Sequence, residues 1–384
     1  MRHVLVSDVD GRAGLAAARG LSKAGYVVTG ASSARLPPGF WSRACSEHLR
    51  VSDPYDDPRS FVDNLASVLR SRPFAALVPI TDVDLEAIST YRHRLPPDVA
   101  TGLPDPEVVE RCLDKVSLAG VADTFDLTPP TSIVCDGGDV AQIVQVAREL
   151  GYPVVLKPRR SVAAVDGRFV RRGARLARTE RDARRLAPTL GQSVLVQRFE
   201  RGRILSVGGV RVPAGIVVDV AARWYRRWPP LDGAASFCET VSPPAGLLDR
   251  VEGLLDTIGH VGLFELELLE RGDGTLAALD LNPRAFGWMT LATRAGANLP
   301  AAWCDWLLGR EPARASARPG VRYRQEDADA KHFLWQIRRG RIREGLAVLR
   351  PRSDVAHAYF ELRDPAPLPA ALLNLAGRLA ERAV

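Results

Sequence analysis

Four oxygen-bearing side chains crowd one stretch of the chain: Glu265 and Glu267, then Asp280 and Asn282, with Arg284 two positions further on. Between them Arg271-Gly272-Asp273-Gly274 separates two apolar runs, Gly262 to Leu269 and Thr275 to Leu281, and this predicts a hairpin. Side chains alternate across a strand, so Glu265 and Glu267 share a face, as do Asp280 and Asn282. If the two faces coincide, three carboxylates and an amide oxygen converge. Hard oxygen donors of this kind suit Mg²⁺, which takes one or two carboxylates and completes its shell with water and phosphate. Acidic strand positions are also common on solvated hairpin edges, and the pattern by itself leaves that alternative open.

Lysine is rare here. Lys23, Lys115, Lys157 and Lys331 are the only ones in a chain with 52 Lys and Arg together. Lys115 follows Asp114 at a predicted helix start, and Lys157 closes the apolar run Val154-Val155-Leu156. Lysine kept at two such places suggests a need for a compact point charge, against the plainer reading of two surface positions. The segment Arg223-Trp224-Tyr225-Arg226-Arg227-Trp228, followed by Gly233 to Ser236, offers guanidinium groups for a carboxylate or phosphate. It could equally be an exposed basic turn. Ser7-Asp8-Val9-Asp10-Gly11 joins a strand to a helix and could cradle an anion at the helix N-terminus. It lacks the GxGxxG pattern, which argues against a dinucleotide dehydrogenase.

The elements that must position these residues begin with strands and helices in alternation. Val4 to Ser7, Tyr26 to Thr29 (ended by Gly30) and Ala75 to Pro79 read as strands, Gly14 to Ala24 and Phe61 to Ser71 as helices. Alternation of this kind predicts a parallel sheet. Leu95 to Pro106 is Pro-rich and reads as a linker. Beyond it come helices over Glu107 to Ala122 and Val140 to Gly151, strands at Val154 to Pro158 and Ser193 to Phe199, and a last helix over Ala370 to Arg382. The expected units are residues 1–105, 106–310 (divided at 195) and a C-terminal extension 311–384.

Across 384 residues, 46% hydrophobic and 25% charged side chains are ordinary for a globular chain of two or three domains. The net charge of +7 is spread along the sequence and no aromatic residues interleave its first Arg cluster, so no nucleic acid is expected as partner. Five scattered cysteines without a CxxC pair fit a reducing, cytoplasmic setting and no zinc site. No signal peptide is read at the start, and no apolar run approaches a membrane span. A homodimer is the assembly to test.

Asp280-Leu281-Asn282-Pro283-Arg284 resembles the metal-binding signature of the ATP-grasp superfamily, usually written E-x-N-P-R, with Asp in place of the first Glu. Glu267, thirteen positions earlier, matches that family's first metal ligand. Asp114-Lys115 before a helix, and later Gly151-Tyr152-Pro153-Val154-Val155-Leu156-Lys157-Pro158, are similar to its two ATP-contacting lysines. Val194 to Phe199 with Glu200 resembles the hinge strand that carries adenine. Arg198 and Ile204 stand where acids are usual, and Arg159-Arg160-Ser161 opens a flap without a glycine run, where the arginines could serve the phosphates. The resemblance spans about residues 1 to 310 and points to the carbamoyl-phosphate-synthase-like carboxylate–amine ligases. It implies a Rossmann-like α/β domain followed by a two-part α+β ATP-grasp domain. It implies ATP with Mg²⁺ (Mn²⁺ able to substitute), held by Glu267, Asp280 and Asn282 as metal ligands. Lys115, Lys157, Gln197, Phe199 and Glu200 would contact the nucleotide and Arg284 would serve catalysis. Arg223, Arg226 and Ser236 would meet the second substrate, with an amino acid or peptide among the acid and amine partners. A nucleotide-binding protein without catalysis, or a kinase that stops at phosphoryl transfer, are the alternatives.

Overall fold

The computed structural model describes residues 2–230 and 233–381. Arg382, the predicted end of the last helix, lies outside the described residues.

The short apolar runs His3–Val6, Val27–Ser32 and Ala76–Val78, with Glu47–Arg50, pair into a four-stranded parallel sheet. The first strand lies inside it, between the second and the fourth. Strands covered on both faces need no polar side, which is why Val4, Leu5 and Val6 are all fully buried. The helix Pro58–Ser71 starts where Asp57 accepts a bond from the Ser60 amide and Pro58 fixes the first turn. It buries the stripe Phe61, Val62, Leu65, Ala66 and Leu69. Gly30 does not end the second strand. It lies within it because a Cβ there would meet Cys45 Sγ and the Val9 methyls at 3.0 Å. The expected helix over Glu107 to Ala122 is two, Pro106–Leu113 and Lys115–Ala122. Asp114 between them is extended and caps the second through the Val116 amide at 2.8 Å.

The strands Ser132–Asp136, Ser193–Arg198, Val154–Pro158 and Arg175–Ala177 form an antiparallel sheet with its own core around Ile143, Ala147, Leu156 and Val196. A separate hairpin, Val162–Val165 and Arg168–Arg171, turns at Asp166-Gly167, both at positive φ. That matches the tight turn hairpin twist favours. Its Val162 and Phe169 are buried in the core of the N-terminal sheet.

The remaining strands build one large sheet. Leu276–Asn282, Gly262–Glu270, Arg203–Val212, Gly215–Trp228 and Ala234–Val241 are adjacent in that order. Arg322–Arg324 and Val355–His357 extend it beyond Ala234–Val241. Residues beyond 310 therefore continue this sheet. One face packs on the helix Leu247–Ile258 and on Leu118 and Ala122. Through the other, the N-terminal helix Arg12–Lys23 shares a core with Met289–Arg294 and Leu299–Leu307. Among the described residues, no helix is long and apolar enough to cross a membrane, and all five cysteines are free and buried.

Candidate functional site

The predicted hairpin sets Glu265 opposite Asn282 and Glu267 opposite Asp280, so all four side chains share one face. Their roles divide there. Glu265 accepts bonds from Ser206 Oγ at 2.9 Å, from Trp288 Nε1, and from Asn282 Nδ2 at 3.1 Å. It is engaged in orienting the Asn282 amide, whose Oδ1 faces the other way and accepts from Arg284 Nη2 at 2.9 Å. Glu267 and Asp280, both half-buried, remain as the pair of carboxylate oxygen donors. Burial, then the charges of Glu265 and Asp280, push the Glu267 carboxyl up to about 8.

Both lysines arrive at this pair. Lys115 Nζ lies 3.1 Å from Asp280 Oδ1 and donates to Ser161 Oγ at 3.0 Å. Lys157 is buried beside it and donates to the Leu279 carbonyl at 3.4 Å. Burial pushes the Lys157 ammonium down to about 8, the pull of Asp280 only partly opposing this. Asp114 holds the two lysine-bearing segments together. It takes Arg159 in two bonds of 2.6 and 2.8 Å, and the Lys115 amide donates to the Arg159 carbonyl at 3.2 Å. The arginines expected to serve phosphates are therefore in ion pairs, Arg159 with Asp114 and Arg160 with Glu86 and Glu110. The flap meets the cleft through Ser161 and Val162 instead.

Arg284 is fixed on three sides. Its Nε reaches Asp82 Oδ1 at 2.5 Å, its Nη2 Asn282, and its Nη1 the Ala285 carbonyl at 2.8 Å. Burial alone would raise the Asp82 carboxyl, but the Arg284 charge outweighs it and the pKa is lowered. Asp82 begins the helix Asp82–Thr90 of the N-terminal unit, so this unit completes the site. The cleft between them is lined by Asp82, Lys115, Ser161, Asp280 and Asn282 and leaves about 10 Å³ free, room for about one water. Two carboxylates, an amide oxygen and two lysines are a donor set that fits Mg²⁺ with nucleotide phosphates. Among the described residues no three His, Cys, Asp or Glu side chains group as a metal cage, so phosphate oxygens would complete the shell.

Other predicted site residues lie further off. Gln197 stands on the strand Ser193–Arg198 and donates to Ser132 Oγ at 2.9 Å, and Phe199 and Glu200 follow the strand end. Glu200 accepts from Arg271 at 2.6 Å. Arg223 is bound to Glu270 at 2.8 and 3.0 Å. Its neighbours Ala222 and Trp224 pack on the face that carries Glu267, which puts Arg223 on the other. Arg226 pairs with Asp329. It is the next guanidinium, Arg227, that helps hold down the Glu267 pKa. Ser236 is fully buried and its Oγ has no hydrogen-bond partner among the described residues. The Ser7 to Gly11 loop is no anion cradle, because Asp8 and Asp10 place carboxylates there.

Sequence reasoning missed Asp82, named Ser161 only as part of the flap, and missed Arg12, whose charge counters the burial of Glu265. Asp82 had a visible signal, since Thr81 to Asp84 reads as a capping box, which the structure contains. Arg12, whose Nη1 donates to Gln325, had none, because that partner lies far along the chain.

No protein-family model matches the chain. It is 24% identical over 271 residues to the C-terminal section of the carbamoyl phosphate synthase large chain of Methanopyrus kandleri. The match covers 67% of this chain and 48% of that protein, so the chain spans about half the length of the relative. Among solved structures it resembles N5-carboxyaminoimidazole synthetase from Staphylococcus aureus complexed with ADP, at TM-score 0.63 and 13% identity over 84% of this chain and 80% of that one. It also resembles the L-amino acid ligase of Bacillus licheniformis, at 0.58 and 13% over 80% and 74%. The biotin carboxylase domain of a Hydrogenobacter thermophilus carboxylase, in complex with MgADP, ADP and bicarbonate, aligns at 0.62 and 15% over 84% and 73%. These likenesses and the order of motifs from Lys115 to Arg284 agree: the chain has the ATP-grasp fold.

Proposed function

We propose that the chain is an ATP-dependent carboxylate–amine ligase that works through an acylphosphate. The observation that carries this reading is the convergence of Glu267, Asp280 and Asn282 with Lys115, Lys157 and Arg284 on one cleft. A substrate carboxylate oxygen attacks the γ-phosphorus and the bond to the β-phosphate oxygen breaks, giving acylphosphate and ADP. The amine then attacks the acyl carbon, phosphate leaves, and the amine's proton is lost. Mg²⁺, held by Glu267, Asp280 and Asn282, would neutralise phosphate charge. Lys115 exchanges its Asp280 partner for phosphate oxygens, and Lys157 supplies a desolvated positive charge. Arg284, immobilised by Asp82 and Asn282, presents a fixed charge where negative charge builds up during transfer. A small-molecule acid and amine in the cytoplasm, with an amino acid or peptide among them, belong to the same reading, as does use of Mn²⁺ in place of Mg²⁺.

The test is ADP release over a matrix of amino acids and dipeptides, with product mass and the fate of a heavy-oxygen-labelled carboxylate. Amide formation with label transferred to phosphate is expected. A phosphorylated acid without amide would make the protein a kinase. Nucleotide affinity with no turnover on any pair would make it a non-catalytic binder.

A further inference from the structure

A second cavity, of about 350 Å³, opens where three parts of the chain meet: the helix Arg12–Lys23, the helix Met289–Arg294 and the tail at 355–362. That volume is the size of a small-molecule site. None of its lining residues lines the phosphoryl-transfer cleft. Its two walls differ in chemistry. The helices contribute Arg19, Lys23, Thr290, Thr293 and Arg294. The tail contributes Val355, Ala356, Phe360 and Leu362, with His357 and Glu361 beside them. Three cationic side chains against one carboxylate favour an anion. Phe360 and Leu362 are 36% and 86% exposed, so the apolar wall has surface left to bury.

The polar wall has donors to give. Lys23, a lysine the cleft does not use, is paired with Glu361 at 2.7 Å, and Arg294 with Asp354 at 2.9 Å. Both cations are about half exposed, and pairs so open to solvent are weak enough for an incoming anion to take over. Arg19 directs its Nε to Asp364 and its Nη2 to the Tyr359 carbonyl, while its Nη1 makes a long contact of 3.5 Å to the Ala358 carbonyl. Thr290 and Thr293 each carry a buried hydroxyl with no hydrogen-bond partner among the described residues, and so does the Nδ1 of His357, which lies 3.5 Å from Glu326. Buried polar groups left in this way cost stability. A helical threonine has two side-chain rotamers open to it, so either hydroxyl can turn to a ligand. A ligand seated here would tie the tail to two helices that bear on the cleft. Arg12, at the start of the first, counters the burial of Glu265, and Trp288, just before the second, donates to Glu265.

We propose that this cavity is an effector site for a small organic anion with an apolar body, bound together with the nucleotide in the cleft. The proposal does not depend on the ligase reading, since no turnover is measured. The full-length protein is titrated calorimetrically with octanoate, phenylacetate and phenyl phosphate, with and without MgADP. Phenylacetamide and acetate are the controls, the first lacking the charge and the second the apolar body. At least one of the three probes is expected to bind in both conditions and neither control to bind; the tighter of carboxylate and phosphate names the head group. Lys23→Gln combined with Arg294→Gln should weaken that probe by about tenfold, the scale of one charged hydrogen bond. Leu362→Glu, at an exposed position, should weaken it with the melting temperature unchanged. Thr293→Val should weaken it while melting no lower than wild type, because the hydroxyl removed has no partner to lose; a hydroxyl kept for structure would lower the melting temperature. A saturating probe should shift MgADP affinity by about fivefold or more, and MgADP should shift the probe by the same factor. Failure of every probe to bind, equal binding of phenylacetamide, or unchanged affinity in all three variants overturns the proposal. So does competition between probe and MgADP for one site, or an MgADP affinity that the probe leaves untouched.

Discussion

Glu267, on the strand Gly262–Glu270 of the large sheet, and Lys157, on the strand Val154–Pro158 of the smaller antiparallel one, have opposite electrostatic complaints. The Glu267 carboxyl, pushed up to about 8, keeps its proton below that pH, and a cation arriving there must displace it. The Lys157 ammonium, pushed down to about 8, is neutral above that pH, and arriving phosphates must recharge it. Binding of MgADP should therefore release protons below pH 8 and take them up above it. Calorimetry in buffers of different ionisation enthalpy reads this directly, and an uptake that does not change sign would refute the assignment of the pair. Arg284 calls for a different measurement. It is already held by Asp82 and Asn282, so its charge is prepaid and helps most in the transition state. Arg284→Ala should lower kcat by about a hundredfold or more, the scale of one lost oxyanion-type donor, while changing the Kd for MgATP little. Arg284→Lys should rescue poorly, because an ammonium cannot present two parallel donors to Asp82 and Asn282 at once. Loss of affinity with kcat preserved would make it a binding residue.

At the scale of elements, the hairpin of Glu267 and Asp280 was legible because alternation and a Gly-Asp-Gly turn are local signals. The register that pairs Glu265 with Asn282 was not, since it depends on a bulge after Glu267. Likewise Lys115 could be placed at a helix start from Asp114, but a continuous apolar pattern hid the break before it. The flap was hardest to read. Its run Ser161-Val162-Ala163-Ala164-Val165 and the following Phe169-Val170 show no strand period in the sequence, yet Val162 and Phe169 are buried in the N-terminal core. The Phe169 amide bonds the Tyr55 carbonyl at 2.8 Å, fixing the hairpin to a unit remote in sequence. The cleft leaves room for about one water, about 10 Å³, so a nucleotide needs this docking undone. Phe169→Ala removes the larger of the two anchors, a loss on the order of 3 kcal/mol. Limited tryptic cleavage at Arg168 and Arg171 should then quicken without nucleotide, and the rate of MgATP association should rise. Unchanged cleavage would mean the hairpin is not held by this contact.

Over the whole molecule, long-range partners decide what sequence alone could not. The tail after residue 310 has no chemical motif, and so reads as an appendage, but Arg322–Arg324 and Val355–His357 are strands of the large sheet. Its end is fastened to the N-terminal unit by two carboxylates, Glu361 on Lys23 at 2.7 Å and the more buried Asp364. Asp364 Oδ2 receives Arg19 Nε at 2.9 Å and Ser42 Oγ at 2.5 Å, and its Oδ1 the Arg43 amide at 2.9 Å. Arg19 also donates to the carbonyls of Tyr359 at 2.8 Å and of Asp364 at 3.1 Å. Arg19 and Asp364 are 4% and 6% exposed, so solvent cannot replace either partner. Asp364→Ala would leave the buried guanidinium with main-chain carbonyls and, as its remaining carboxylate, the more exposed Glu361, 3.4 Å away, and should cost about 3 kcal/mol of stability. Asp364→Asn, which keeps acceptors for Ser42 and the Arg43 amide, should cost less. Because the same tail strands bring Gln325 to Arg12, the damage should also reach the cleft: the alanine variant should bind MgADP more weakly as well as unfold at lower denaturant. Denaturant midpoints with and without MgADP for both variants decide this. An unchanged midpoint in Asp364→Ala would mean that the tail stabilises the N-terminal unit through its apolar packing alone.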